Sequence, residues 1–341
     1  MSNYQDEVRR RRRNLLIVEG NHEKNKLFSL IFKCFPEINI DIEDVWIYGT
    51  NIYLLYEDIA KEYGSQWADE KVDIDLPFVI SKKQNPQFPC YKEDFINIIL
   101  VFDYERHDTN FSEQKIMDMQ QCFHDAADMG KLYINYPMIE SYLHLKALPD
   151  CDFYTRKIPV SLQPGKKYKA QVDSETAIGK LFEFPHRIDD LLNGRFGITD
   201  EKARVECCKA VLNISEEYEL ERELEEALQG LSDDNCKNTL KYQLKDWLLK
   251  MGYVHRGQTY WECIRDIFGK IIFYNIHKAN WLLNGEFEIE EDRYKQCYEQ
   301  IDLMEILKLQ NHFSRDENQG YIWVLNTCIF FVAEYNFALI N

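Results

Sequence analysis

Two short runs of apolar, largely β-branched residues, each ending in carboxylates, constrain this chain more than any other feature. Residues 15–18 lead into Glu19, Gly20 and Glu23, and residues 98–102 lead into Asp103 and Glu105. Continuous apolar runs of this length suit parallel strands covered on both faces, and in such sheets the chemistry lies beyond the carboxyl ends of the strands. Carboxylates at two such ends can converge on one Mg²⁺ or Mn²⁺.

The flanking pattern supports a sheet of that kind. A helix is expected over residues 23–34, where Leu27, Leu30 and Ile31 share one face, with Pro36 just past its end. Residues 44–48 read as a second strand, and Gly49 and Thr50 open a second helix reaching about Tyr63. The third strand precedes a helix over 112–129 with Ser112 as its cap and Gly130 as its stop. A fourth strand over 131–135 leads through Pro137 into a short helix, 138–145, carrying Glu140. Residues 64–94, with Pro77, Pro86 and Pro89, show no sustained period and are expected to be a functional or partly ordered insertion.

After about residue 150 the strand signals stop and helical stripes take over, such as Leu220, Leu224 and Leu228, or Leu240, Leu244, Trp247, Leu248 and Met251. The expected organisation is therefore a basic arm at 1–13, an α/β domain of parallel sheet flanked by helices at 14–150, and an all-α domain at 151–341. The apolar window 321–340 is interrupted by Asn326, Thr327, Glu334 and Asn336, which suits a buried C-terminal helix and not a membrane span.

With 341 residues, 45% of them hydrophobic, the chain is long enough for a large core and more than one domain. The formal charge of -17 argues against a broadly basic nucleic-acid coat, so any phosphate recognition must be local. Two basic patches qualify. One is the arginine run at 9–13, including Arg11, Arg12 and Arg13, whose place next to the first acidic motif suggests phosphate binding, although a solvated tail fits equally well. The other includes Lys166, Lys167 and Lys169. Ten scattered cysteines without a C-x-x-C pair, and no apolar leader after the arginines, point to a cytoplasmic protein with reduced thiols. No G-x-x-x-x-G-K-[ST] and no G-x-S-x-G motif occurs, so neither a P-loop ATPase nor a serine hydrolase is expected.

Chemically, Glu19 beside Gly20 can act as a general base or bind a cation through an oxygen. Asp103 and Glu105, two apart on an extended segment, are expected to share one side and reach a common cation, with Asp108 just behind. Such a site suits phosphodiester cleavage, in which the metal stabilises the developing charge and acidifies the attacking water. His22 and His107 adjoin the two motifs and equally suit an exposed surface.

The ordered set of Glu19 and Gly20, a middle βα unit, Asp103-x-Glu105 and then Glu140, over residues 14–146, resembles the TOPRIM nucleases of the OLD and abortive-infection type, including the effectors of PARIS phage-defence systems. The family pattern has Asp-x-Asp after the third strand, and Glu105 departs from it. The resemblance implies Glu19 as acid/base or metal ligand, and Asp103 and Glu105 as Mg²⁺ ligands. Glu23 and Glu140 are further candidates that equally suit local caps or salt bridges. It also implies nuclease action on DNA or structured RNA such as tRNA, a co-encoded ATPase sensor as partner and a homodimer as one assembly. The alternatives are a non-catalytic TOPRIM subunit of a defence complex, or another Mg²⁺-dependent phosphotransfer or phosphatase-like enzyme.

Overall fold

The computed structural model describes residues 13–340, apart from 39, 86, 230, 232, 233, 287 and 288. Arg11 and Arg12 lie outside the described residues. The apolar runs form strands as their composition requires. β1 (Arg13–Val18) pairs in parallel with β2 (Val45–Ile47) on one side and β3 (Phe95–Asp103) on the other, and β3 pairs in parallel with β5 (Gly130–Tyr136). β4 (His124–Asp125) adds an antiparallel edge, giving the order β2-β1-β3-β5-β4. Leu15, Leu16, Ile17, Val18, Leu100, Val101 and Phe102 are fully buried, because helices cover both faces of this α/β sheet.

Several boundaries differ from the sequence reading for local reasons. The first helical segment begins as a wide π turn, Glu23–Phe28, and only then becomes α1 (Ser29–Cys34). The second helix, α2 (Ile52–Tyr63), starts later than Gly49, because Gly49 has φ +90° and Asn51 caps the helix by accepting from Leu54 N–H at 3.0 Å. The stretch without period contains a nine-residue helix, α3 (Leu76–Gln84), capped by Asp75. Ser112 caps α4 (Glu113–Cys122) as expected, but the helix stops before β4 instead of running to residue 129.

The division of the chain at residue 150 is not where its packing divides. One compact unit comprises residues 1–176 together with 271–341, and the second comprises 177–270. In the first unit, α5 (Lys166–Glu175) follows a short strand β6 (Lys157–Pro159), and the chain returns to this unit along the last part of a 25-residue helix. The second unit holds α6 (Gly179–Phe182), α7 (Phe184–Asp190), α8 (Glu201–Leu212), α9 (Leu220–Leu228), α10 (Asp234–Met251) and the start of α11 (Tyr260–Asn284). Here the leucines of the stripes behave as read: Leu220, Leu224 and Leu228 of α9, and Leu240, Leu244 and Leu248 of α10, are buried, whereas Trp247 and Met251 are half-buried.

Residues 271–340 are not purely helical either. After α12 (Tyr294–Glu299) and α13 (Leu303–Ser314) come β7 (Tyr321–Trp323), paired with β6, and β8 (Leu325–Asn326), which adds antiparallel to β5. The expected C-terminal helix shrinks to α14 (Phe330–Tyr335). The polar pair Asn326 and Thr327 explains the difference, since both are buried and spend their side chains elsewhere, Asn326 on the 3₁₀ turn that follows β5 and Thr327 on the Ile134 carbonyl of β5. No helix among the described residues is long and apolar enough to cross a membrane.

Candidate functional site

β1, β3 and β5 lie side by side and run in the same direction, so the residues that follow them emerge at one edge of the sheet. Glu19 follows β1, Asp103 ends β3, and Glu140 lies in the 3₁₀ turn Ile139–Leu143 that follows β5. That turn replaces the short helix expected over 138–145. Asn326 on β8 holds it by donating to Ile139 O and Ser141 Oγ, both at 3.1 Å, while Thr327 donates to Ile134 O at 2.7 Å. The C-terminal strand thus fixes a residue of the first domain's site.

Glu23 joins the group from the π turn. It is 5% exposed and accepts the Gly20 N–H at 2.8 Å. Gly20 matters here for space, because a Cβ at that position would stand 3.2 Å from the same carboxylate oxygen. Asp103 is 4% exposed and accepts from Asn135 Nδ2 at 3.2 Å, across the β3–β5 register. The Asp103 backbone N–H points at Glu19 Oε2, 3.3 Å away.

Glu105 arrives differently from the sequence expectation. β3 ends at Asp103, and Glu105 sits at φ +38°, in the left-handed region that side chains other than glycine rarely adopt. The alternation of an extended strand therefore does not align it with Asp103. Tyr104 between them is fully buried. Its hydroxyl donates to Asn311 Oδ1 at 2.6 Å and its carbonyl accepts from Tyr53 at 2.6 Å, so the segment is anchored from two elements. Asp108 accepts from Asn51 Nδ2 at 2.8 Å, which ties this loop to the α2 cap.

The electrostatics show that these carboxyl groups act on one another. Burial, then the charges of Glu105 and Glu23, push Glu19 up to about 9. Burial and then Glu19, Glu23 and Glu140 raise Asp103 well above the ordinary carboxylate range. Burial followed by Asp108 raises Glu105. Glu19 and Glu23 are thus common to an Asp103–Glu140 side and a Glu105–Asp108 side. Even so, among the described residues no group of three or more His, Cys, Asp or Glu side chains is arranged to hold a metal ion. The donor set is right for a hard cation; the side chains stand apart from a finished coordination shell.

Of the basic candidates among the described residues, the structure brings one to the site. Lys169 Nζ of α5 lies 2.7 Å from Glu140 Oε1, an ion-pair contact whose angles fall short of a hydrogen bond. Burial opposes its charge, but Glu140, Asp103 and Glu23 more than offset this and raise Lys169 above the ordinary lysine value. Lys166 and Lys167 on the same helix are exposed. Arg13 is at the other end of β1 from Glu19, about 20 Å away at the usual rise per residue, and pairs with Asp44 at 2.9 Å. The expectation that it sits beside the acidic group is therefore corrected. His22 Nε2 lies 3.5 Å from Glu140 Oε1, whereas His107 is exposed.

Sequence reasoning missed Asn135, Tyr168, His144 and Asn326. Asn135 is fully buried at the end of an apolar strand, a signal that was readable. The other three owe their importance to distant partners: His144 is fully buried between Tyr168 hydroxyl at 3.2 Å and Glu175 Oε2 at 2.9 Å, and so pins α5, the helix that carries Lys169. No family model, no curated protein and no solved structure matches this chain.

Proposed function

We propose that the chain is a Mg²⁺- or Mn²⁺-dependent nuclease of TOPRIM type that hydrolyses phosphodiester bonds. The observation that carries this reading is the gathering of Glu19, Glu23, Asp103 and Glu140 from the ends of three adjacent parallel strands, with Glu23, Asp103 and Glu140 buried, Glu19 half-buried and Asp103 repelled by the other three. Burying like charges together is costly without a compensating cation, and raised carboxylates in one place are characteristic of functional sites. Glu19, Asp103 and Glu23 are the residues that would hold the cation, with Glu105 and Glu140 completing the oxygen set. A bound divalent cation supplies charge neutralisation at phosphate and a more acidic water. On the protein's side, Asn135 orients Asp103, and the Gly20 N–H orients Glu23. Lys169 supplies positive charge beside the carboxylates.

The role as effector of an abortive-infection system, on DNA or tRNA and with a co-encoded ATPase, rests on the resemblance of residues 14–146. Incubating the purified chain with plasmid DNA and with total tRNA, in Mg²⁺, Mn²⁺ or EDTA, tests the chemistry. Cleavage is expected only with metal, and Glu19→Gln and Asp103→Asn should each reduce it at least about 100-fold. Cleavage in EDTA, or undiminished in both variants, would remove this reading.

A second reading, a non-catalytic TOPRIM subunit, is favoured by the left-handed Glu105 and by the lack of a ready three-ligand group among the described residues. Cation binding without cleavage of either nucleic acid, alone or with a co-encoded ATPase, would select it.

A further inference from the structure

Glu140 is 3% exposed, and its turn is held by Asn326 on β8, so it cannot escape to solvent. Its Oε2 is buried and has no hydrogen-bond partner, and its Oε1 faces Lys169 Nζ at 2.7 Å and His22 Nε2 at 3.5 Å. A buried carboxylate with an unfilled oxygen, close enough to Asp103 for the two charges to repel, needs positive charge. In this structure that charge is the Lys169 ammonium. Its side chain is 41% exposed and comes from α5, a helix fixed separately through Tyr168, His144 and Glu175. A flexible four-carbon stem can withdraw from Glu140 while the helix stays in place.

We propose that Lys169 is the built-in counter-cation of this carboxylate cluster, and that a divalent cation binds there only in competition with it. The proposal rests on the metal-site reading above and deepens it with a form of regulation. Two positive charges within one small, poorly solvated site repel strongly, so the lysine sets a threshold of cation concentration below which the site stays closed. It also accounts for the carboxylates standing apart from a coordination shell, because the ammonium already neutralises part of their charge.

The test is Mn²⁺ and Mg²⁺ titration of the full chain by calorimetry, with thermal unfolding in EDTA and in millimolar Mn²⁺, for wild type, Lys169→Met and Lys169→Arg. Lys169→Met should bind Mn²⁺ at least about tenfold more tightly than wild type. It should unfold at lower temperature in EDTA and recover in Mn²⁺. Lys169→Arg, which keeps the charge, should bind as wild type does. Lys169→Gln gives the same readout should the methionine variant fail to fold. Equal or weaker binding by the neutral variants, or no Mn²⁺ binding by any form, would overturn the proposal. Tighter binding without nucleic-acid cleavage, alone or with a co-encoded ATPase, would keep the proposal and remove the nuclease; cleavage without tighter binding would do the reverse.

Discussion

Two buried charged clusters in the first unit behave in opposite ways. At the carboxyl ends of β1, β3 and β5, Glu19, Glu23, Asp103 and Glu140 repel one another, and Glu140 Oε2 and Asn135 Oδ1 lack hydrogen-bond partners. Around Asp150, by contrast, every charge is answered. Its carboxylate accepts from Arg156 at 2.8 and 3.2 Å, from Lys146 N–H at 2.6 Å and from Asp152 N–H at 3.2 Å. Burial alone would raise Asp150, but Arg156 together with the Lys146 and Asp152 N–H groups outweighs it and holds the group below its ordinary value. Nearby, the fully buried Lys278 donates to Phe153 O at 2.9 Å and Arg156 O at 2.7 Å, so its amine is satisfied by backbone even though burial depresses it. The second cluster is what a buried ionic group looks like when it serves the fold, and the first, with like charges gathered and polar atoms unpaired, is the contrasting arrangement on which the proposed cation site rests.

The largest test of this contrast is Arg156→Ala. It leaves Asp150 buried and unpaired, and should destabilise the protein by about 3–5 kcal/mol in urea unfolding. A neutral result would mean that the paired cluster is not structural.

Asp103→Asn should act in the opposite direction in EDTA, stabilising by about 1–2 kcal/mol because it removes a buried like charge, while abolishing metal-dependent cleavage. Loss of stability instead would place Asp103 with the structural cluster.

The pH dependence sharpens the comparison further. Glu19 binds its proton more tightly in the folded chain than in the unfolded one, so the folded state holds the extra proton between about 4.5 and about 9. In EDTA its contribution to stability is therefore present below pH 4.5 and lost as pH rises toward 9. Glu19→Gln should flatten that fall in thermal unfolding profiles. Glu175 has the opposite sign: burial opposes its charge, but Lys146, His144 and Gln171 hold it down to about 2, so its contribution is lost as pH falls from about 4.5 to 2.

The smallest effect belongs to a residue outside both clusters. Ser112→Ala removes a long capping contact, 3.4 Å to Lys115 N–H, and should cost under about 1 kcal/mol without changing cation affinity.

What the sequence determined by itself is local. Continuous apolar runs made β1 and β3 strands, their β-branched content suited a parallel, covered sheet, and a Ser hydroxyl before a helical stretch made a cap. Because parallel strands present their carboxyl ends at one edge, the convergence of Glu19 and Asp103 was legible too. Tertiary structure alone decided the rest. The place of Glu140 depends on Asn326, 186 positions away along the chain, and the choice of Lys169 over Lys166 and Lys167 depends on which face α5 turns to the sheet. Glu105 was misplaced because strand alternation holds only while the strand lasts, and β3 ends at Asp103, two residues before Glu105 turns into the left-handed region. Likewise the C-terminal segment read as helix because its apolar residues are continuous, yet it becomes β8 because an open edge of β5 and buried carbonyls were there to receive it. Local propensity sets what a segment can be; unsatisfied partners elsewhere in the fold set what it becomes.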